Sequence, residues 1–318
     1  MANYSVSKAT FPLNKALPVE IQAALEAFLA ADVDGLPLRA STTRPLGTLS
    51  NLGDVAAGTD ILTLSGSVAG SLIDLSSLTQ SVRDGLEVVA FNGTTPKVVE
   101  LSDFSGVVLL GRGNDTVTKS GGDDVAVNAG DGRDTVTTGS GNDTVNAGAG
   151  NDLIQTGAGN DSVYGGDGND RLSDTSGNNL VSGGDGNDTV STGAGIDTVY
   201  AGGGNDSIAT GAGNDSIYTG GGADTVRAGN GNDIIILESP TAGGNLTIDG
   251  GYGLQDTLDL TLVGISSATA SGATGATLTL DNGATVNVVS VERFMYENAA
   301  GSAELVSLQL FLNAFPPV

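Results

Sequence analysis

The sequence predicts an all-β fold: a right-handed parallel β-roll, a solenoid of two facing sheets, with β caps at both ends and a short N-terminal helix. Three observations lead there: a nine-residue period over residues 110–236, glycine at fixed places in each period, and one aliphatic residue per period. Internal repetition is read first because it sets the architecture before any single element does. The period runs through TGSGNDTVN (138–146), AGAGNDLIQ (147–155), TGAGNDSVY (156–164) and GGDGNDRLS (165–173). It continues through GGDGNDTVS (183–191), AGGGNDSIA (201–209) and TGAGNDSIY (210–218) to AGNGNDIII (228–236). Fourteen units fill the span; one has ten residues (119–128, KSGGDDVAVN) and one is degenerate (174–182, DTSGNNLVS).

Each position of the unit has a physical reading. The fourth residue is Gly in all fourteen units and the second in twelve. A tight turn needs glycine wherever the chain adopts positive φ. The eighth residue is aliphatic: Val136, Val145, Ile154, Val163, Leu172, Val181, Val190, Val199, Ile208 and Ile217. Between turns, a triplet such as Thr144-Val145-Asn146 is a short strand with one inward side chain. Six turn residues and three strand residues make half a coil, so two units close an 18-residue coil with parallel sheets facing each other.

The sixth residue is Asp in thirteen units: Asp115, Asp124, Asp134, Asp143, Asp152, Asp161, Asp170, Asp188, Asp197, Asp206, Asp215, Asp224 and Asp233. Asn179 is the exception. Stacking coils sets these carboxylates about 4.8 Å apart, the spacing of adjacent strands. Something positive has to lie between them, and 12 Lys and Arg against 37 Asp and Glu cannot supply it. Hard oxygen donors, carboxylates and turn carbonyls together, are what calcium prefers. Calcium is the implied cofactor. Two coils offer one shared place per turn, which gives roughly ten to twelve ions.

Composition removes other chemistries. A net charge of −25 excludes nucleic acid as a partner. There is no histidine and no cysteine. His-dependent triads, HExxH zinc sites, disulfides and thiol catalysis are therefore excluded. The first residues lack a basic start followed by an apolar run, so no Sec-type leader is expected. No run of eighteen apolar residues suggests a membrane-spanning helix. The chain shows no GxSxG elbow or zinc motif, and it reads as a protein that is not an enzyme.

The tandem units resemble the RTX (repeats-in-toxin) family, whose repeat GGxGxDxUx forms calcium-binding β-rolls. The likeness covers about 40% of the chain. It implies that each ion sits between turns 18 residues apart, held by two Asp carboxylates and several turn carbonyls. Asp143 would then pair with Asp161, Asp197 with Asp215, and Asp215 with Asp233, with carbonyls of turn glycines such as Gly157, Gly159, Gly193, Gly195, Gly211 and Gly213 completing the shell. Asn179 is expected to weaken the sites it shares, and the extra residue near Val125 to disturb register. The resemblance also implies type I secretion, with the secretion machinery as a partner and an extracellular location.

The flanks complete the plan. Residues 1–45 carry one helix over 19–31, with Pro18 at its start. Residues 46–109 read as a metal-free β cap, since a solenoid needs atypical end units to close its core. Residues 237–300 begin with a looser repeat, GGYGLQDTLDL (250–260), and read as the closing cap. The apolar tail 301–318 is a candidate C-terminal secretion signal, or else a cap element. Positions seven and nine face outward on alternate sheets. Tyr164, Tyr200, Tyr218, Leu180, Ile234 and Ile236 fall on one face; Thr and Ser, with Arg171, Arg227, Leu153 and Ala209, fill the other. Tyrosine is enriched in interfaces. The expected function is a secreted structural protein that self-assembles into a surface layer, filament or biofilm-matrix fibre, its candidate partners being itself and a cell-surface polysaccharide. The alternative is a monomeric adhesin or ligand-binding module, ice binding included.

Overall fold

In a computed structural model, the chain is described over residues 61–65, 72–74, 88–92, 94–102, 104–272, 274–298 and 301–315. The helix expected over 19–31 lies outside the described residues. The one helix among them is Leu308–Ala314, near the other end of the chain.

Each short strand of the repeat alternates inward aliphatic with outward polar residues, as in Ser162–Asp167 and Arg171–Ser173. Such a strand is too short to stand alone, and it is completed by stacking on its equivalent one coil away. Successive strands are dealt alternately to two sheets of thirteen strands each. Pairing is parallel through the repeats, with Val145, Val163, Val181, Val199, Ile217 and Ile235 aligned across the first sheet. Val136, Ile154, Leu172, Val190, Ile208 and Val226 align across the second. All twelve are at most 2% exposed, and the two rows face each other as one continuous core. The expected 18-residue coil is thus present, for example in Ser162 opposite Leu180.

Steric exclusion explains the glycine rows. Gly195 has φ of 138°, and a Cβ there would lie 1.9 Å from the Gly177 carbonyl oxygen one coil below. Backbone approaches backbone so closely that no side chain fits.

Upstream of the repeat, strands Val88–Asn92, Val98–Ser102 and Gly106–Leu109 extend the same two sheets. Downstream, the pattern changes to antiparallel. Gly275–Leu280 pairs with Thr285–Val289 and with Ile265–Ala270, and Arg293–Glu297 pairs with Ala303–Ser307. The tail, read as a secretion signal or a cap element, forms that last strand and the helix. Phe311 of the helix is fully buried and stacks on Phe294 with ring centroids 4.6 Å apart. Tyr296 and Phe315 close around it. Large rings, almost absent from the roll, here cover the open end of its core.

Candidate metal centre

Two columns of turns run along the roll, one feeding each sheet. The column before the second sheet stacks Asp115, Asp134, Asp152, Asp170, Asp188, Asp206 and Asp224. In every step the backbone N–H of one Asp donates to Oδ1 of the Asp one coil later, at 2.7–2.9 Å. The column before the first sheet stacks Asp143, Asp161, Asn179, Asp197, Asp215, Asp233 and Asp256 in the same way. The pairs Asp143–Asp161, Asp197–Asp215 and Asp215–Asp233 are therefore neighbours across one coil.

One hydrogen bond satisfies only half of each carboxylate. Oδ2 of Asp115, Asp134, Asp143, Asp152, Asp161, Asp170, Asp188, Asp197, Asp206, Asp215, Asp224, Asp233 and Asp256 is buried without a partner. These residues are at most 3% exposed. An unpaired buried carboxylate costs several kcal/mol, and a whole column of them cannot persist as bare anions. Burial raises their pKa, to about 7 at Asp152 and Asp188 and about 6 at Asp134, Asp161, Asp224 and Asp233. The N–H bond from the coil before pulls each back, while neighbouring carboxylates push the pKa of several further up, as Asp170 and Asp134 do for Asp152.

The space beside the orphan oxygens is lined with further oxygen. A Cβ built on Gly165 would meet the Gly183 carbonyl at 2.4 Å and Asp170 Oδ2 at 2.5 Å. Gly183 repeats this with the Ala201 carbonyl and Asp188 Oδ2. Among the described residues no three acidic side chains gather at one point. The carboxylates come pairwise along a column, so backbone carbonyls must supply most of any shell. A pure oxygen set of this kind fits calcium and gives no soft ligand for zinc or iron. Of the glycines expected to offer carbonyls, Gly157 and Gly193 accept backbone N–H bonds from Thr175 and Ala212 in the next coil. Gly159, Gly195 and Gly213 stack under Gly177, Gly213 and Gly231, and Gly211 under Gly229.

Three placements correct the reading of the sequence. Asp124 is not in the column. Its Oδ1 accepts the Asn142 N–H, the part Asn142 itself plays for Asn160, so Asp124 occupies the fifth place and is exposed. Val125 takes the sixth place, its N–H donating to Asp143 Oδ1. The physical reason is the position of the extra residue: strand Thr116–Ser120 runs two residues further than Thr135–Thr137, and the added length comes before the turn.

Asp256, by contrast, enters the column although its repeat is loose. Asp233 N–H donates to its Oδ1 at 2.9 Å, and its own N–H donates to Glu292 Oε2 at 3.0 Å. Leu254 N–H donates to Asn232 Oδ1, the bond of the fifth place, so the surplus residue of that turn is Gln255, which is exposed.

The third correction is at Asn179. Its side chain cannot replace a carboxylate, but Asp174, the first residue of the same turn, points inward and is 7% exposed. Asp174 Oδ1 accepts from Asn179 Nδ2 at 2.9 Å and its Oδ2 from Thr156 Oγ1 at 2.8 Å. Burial is the first cause that raises the carboxyls of both Asp174 and Asp161, and the Asp174 charge raises Asp161 further. A carboxylate is thus returned to the step that lost one. In the other units of this column the same place holds Thr138, Thr156, Thr192, Thr210, Ala228 or Gly250, and only in the Asn179 unit does the sequence read DTSGNN. Asp at the first place beside Asn at the sixth was the available signal.

Fold and site together define a β-roll whose turn columns hold hard divalent cations. The family model of the RTX calcium-binding nonapeptide repeat (4 copies) matches three times, over residues 128–163, 164–199 and 200–235. The chain carries RTX calcium-binding nonapeptide repeats, and these form the roll. Such repeats are typical of extracellular proteins exported by type I secretion. No curated protein matches the chain. No helix among the described residues is long and apolar enough to cross a membrane.

Proposed function

We propose that the chain is a secreted structural protein that folds on calcium outside the cell and self-assembles into a surface layer, filament or matrix fibre. The observation that carries the assembly is an apolar column on the outer face of the first sheet. Tyr200 stacks on Tyr218 with centroids 4.5 Å apart and planes 14° from parallel. Tyr218 is in register with Ile236, and Tyr164 lies two strands before Tyr200 in the same row. Tyr200 and Ile234 remain 42% and 44% exposed. Stacked rings on a flat parallel face give contact area with little rotamer entropy to lose on docking.

Calcium confines the event to the exterior. Without it, a chain dense in Asp and Gly buries too little apolar surface to offset its own repulsion. With it, binding energy becomes folding energy. The reading is non-catalytic, in keeping with a chain without histidine or cysteine. Ice or ligand binding through threonine rows is less well supported. Thr116 and Thr118 align with Thr135 and Thr137, but Leu153, Gln155 and Arg171 interrupt the rows.

The test is calcium titration of the EDTA-stripped chain, followed by circular dichroism and negative-stain microscopy. β-structure with ordered sheets or fibres is expected. A folded chain that stays monomeric at every calcium concentration overturns the assembly.

A further inference from the structure

We propose that Lys119 is a built-in substitute for calcium: its ammonium fills the first metal place of the column that feeds the first sheet. The inference rests on the calcium reading of the columns, and it concerns the step from Val125 to Asp143, where a carboxylate is missing and nothing acidic replaces it.

Lys119 lies in the added length of strand Thr116–Ser120, and the residue is 2% exposed. A lysine is almost never so deeply buried unless its charge is met. Here Nζ donates to the carbonyls of Thr138 and Ser140, each at 3.1 Å, and to that of Gly121 at 3.4 Å. Asp143 Oδ1 lies 4.0 Å away, with both side chains fully enclosed. In units of the repeat, the ammonium gathers first- and third-place carbonyls and the sixth-place carboxylate of one turn, and a second-place carbonyl of the turn before. These are the same kinds of oxygen that border the gap at Gly165, a first-place carbonyl and a sixth-place carboxylate.

Charge matches as well as geometry. Regular steps set two carboxylates beside one place, suited to a divalent ion. This step has Val125 where the first carboxylate would be, leaving Asp143 alone. One negative charge is met by one positive charge, carried on a tether that cannot diffuse away. A calcium ion there would meet an unbalanced positive charge in a buried place, and the ammonium already occupies the room.

The other column opens in a related way. Lys97, 4% exposed, stands one coil before Asp115, and its N–H donates to Asp115 Oδ1 at 2.6 Å. Its Nζ turns back to the Thr95 hydroxyl at 2.9 Å and to the Thr95 carbonyl. Both columns therefore begin on a buried lysine. The consequence is an end of the roll whose first step needs no metal, and on which calcium-loaded coils can stack.

The test counts calcium ions by native mass spectrometry on the full chain, alongside the calcium midpoint of folding by circular dichroism. Val125→Asp alone restores the carboxylate but keeps the ammonium, and it should bind no additional ion. Lys119→Ala combined with Val125→Asp should bind one ion more than the parent. An extra ion in V125D, or none in the folded double variant, overturns the proposal. Should the double variant not fold, Lys119→Met and Lys119→Arg decide. K119M should need severalfold more calcium to fold, while K119R stays close to the parent. A K119M midpoint equal to the parent's overturns the proposal. Loss of all calcium-dependent folding in the parent itself would instead refute the calcium reading beneath it.

Discussion

Asp174 and Asn179 exchange the roles their places in the repeat would give them. The Asn179 amide donates to Asp174 Oδ1 at 2.9 Å, so the carboxylate of this turn arrives from its first residue and the amide sits at its sixth. Asn179 still accepts the Asp161 N–H through Oδ1, which preserves the stacking bond of the column. Backbone register and metal charge are separated here onto two side chains.

Replacing Asp174 by Ala should therefore remove an ion that Asn179→Ala, if it folds, leaves in place. The expected loss for D174A is one calcium from the count. The folded state should also lose about 1–3 kcal/mol, since the Thr156 hydroxyl loses its acceptor and the Asn179 amide keeps only its bond to the Gly177 carbonyl. Native mass spectrometry and calcium-saturated thermal melts read the two effects. An unchanged ion count would show that Asp174 only fills a hydrogen-bonding role.

Protonation should act in opposite directions with and without metal. Burial raises the carboxyls from 3.8 to about 7 at Asp152 and Asp188 and to about 6 at Asp134 and Asp224. A raised carboxyl costs nothing to folding below its unfolded value. The cost grows as pH climbs from there to the raised value. The chelated chain should thus gain β-structure when acidified from about pH 8 to about pH 5. With calcium the proton is a competitor, so the calcium midpoint should rise steadily over the same descent. Circular dichroism titrations at several pH values check both. A midpoint independent of pH would remove these carboxylates from the shell.

Glycine should be replaceable in some places and not in others. Gly195→Ala puts a Cβ 1.9 Å from the Gly177 carbonyl oxygen at φ of 138°. The backbone strain alone is worth about 1–3 kcal/mol, and the clash adds to it by forcing the coils apart. At Gly203 a Cβ would meet only Asp185 Oδ1 at 3.6 Å, and G203A should fold as the parent does. Thermal melts in saturating calcium compare them. Equal melting temperatures would mean that the coils yield more readily than their backbone contacts suggest.

Assembly should be separable from folding at the tyrosine column. Tyr218→Ser removes one ring of the Tyr200–Tyr218 stack without touching either turn column or Ile217 beneath it. The calcium midpoint should hold while fibres or sheets shorten or vanish in negative stain. Retained assembly would move the contact to another face or to the ends of the roll.

Much of this molecule was written in its period. Nine residues with glycines at the second and fourth places, Asp at the sixth and an aliphatic eighth leave the chain one economical arrangement. The coil length, the two parallel sheets, the facing rows of Val and Ile and the pairs of Asp follow from that repetition, because each unit meets a copy of itself. Tyr164, Tyr200 and Tyr218 could be placed on one face for the same reason. What the period could not reach were the places where a unit meets something unlike itself. Counting along the chain put Asp124 in the column, but the extra length was absorbed at Lys119, before the turn, and Val125 took the place. Counting also left Asn179 without a substitute and Asp256 one place late. Asp174 and the outward bulge at Gln255 settle these through packing across coils. Register is a local property only while every unit has the same length. Where one does not, the stacked backbone of the neighbouring coils decides which side chain is turned inward, and that is a matter of three dimensions.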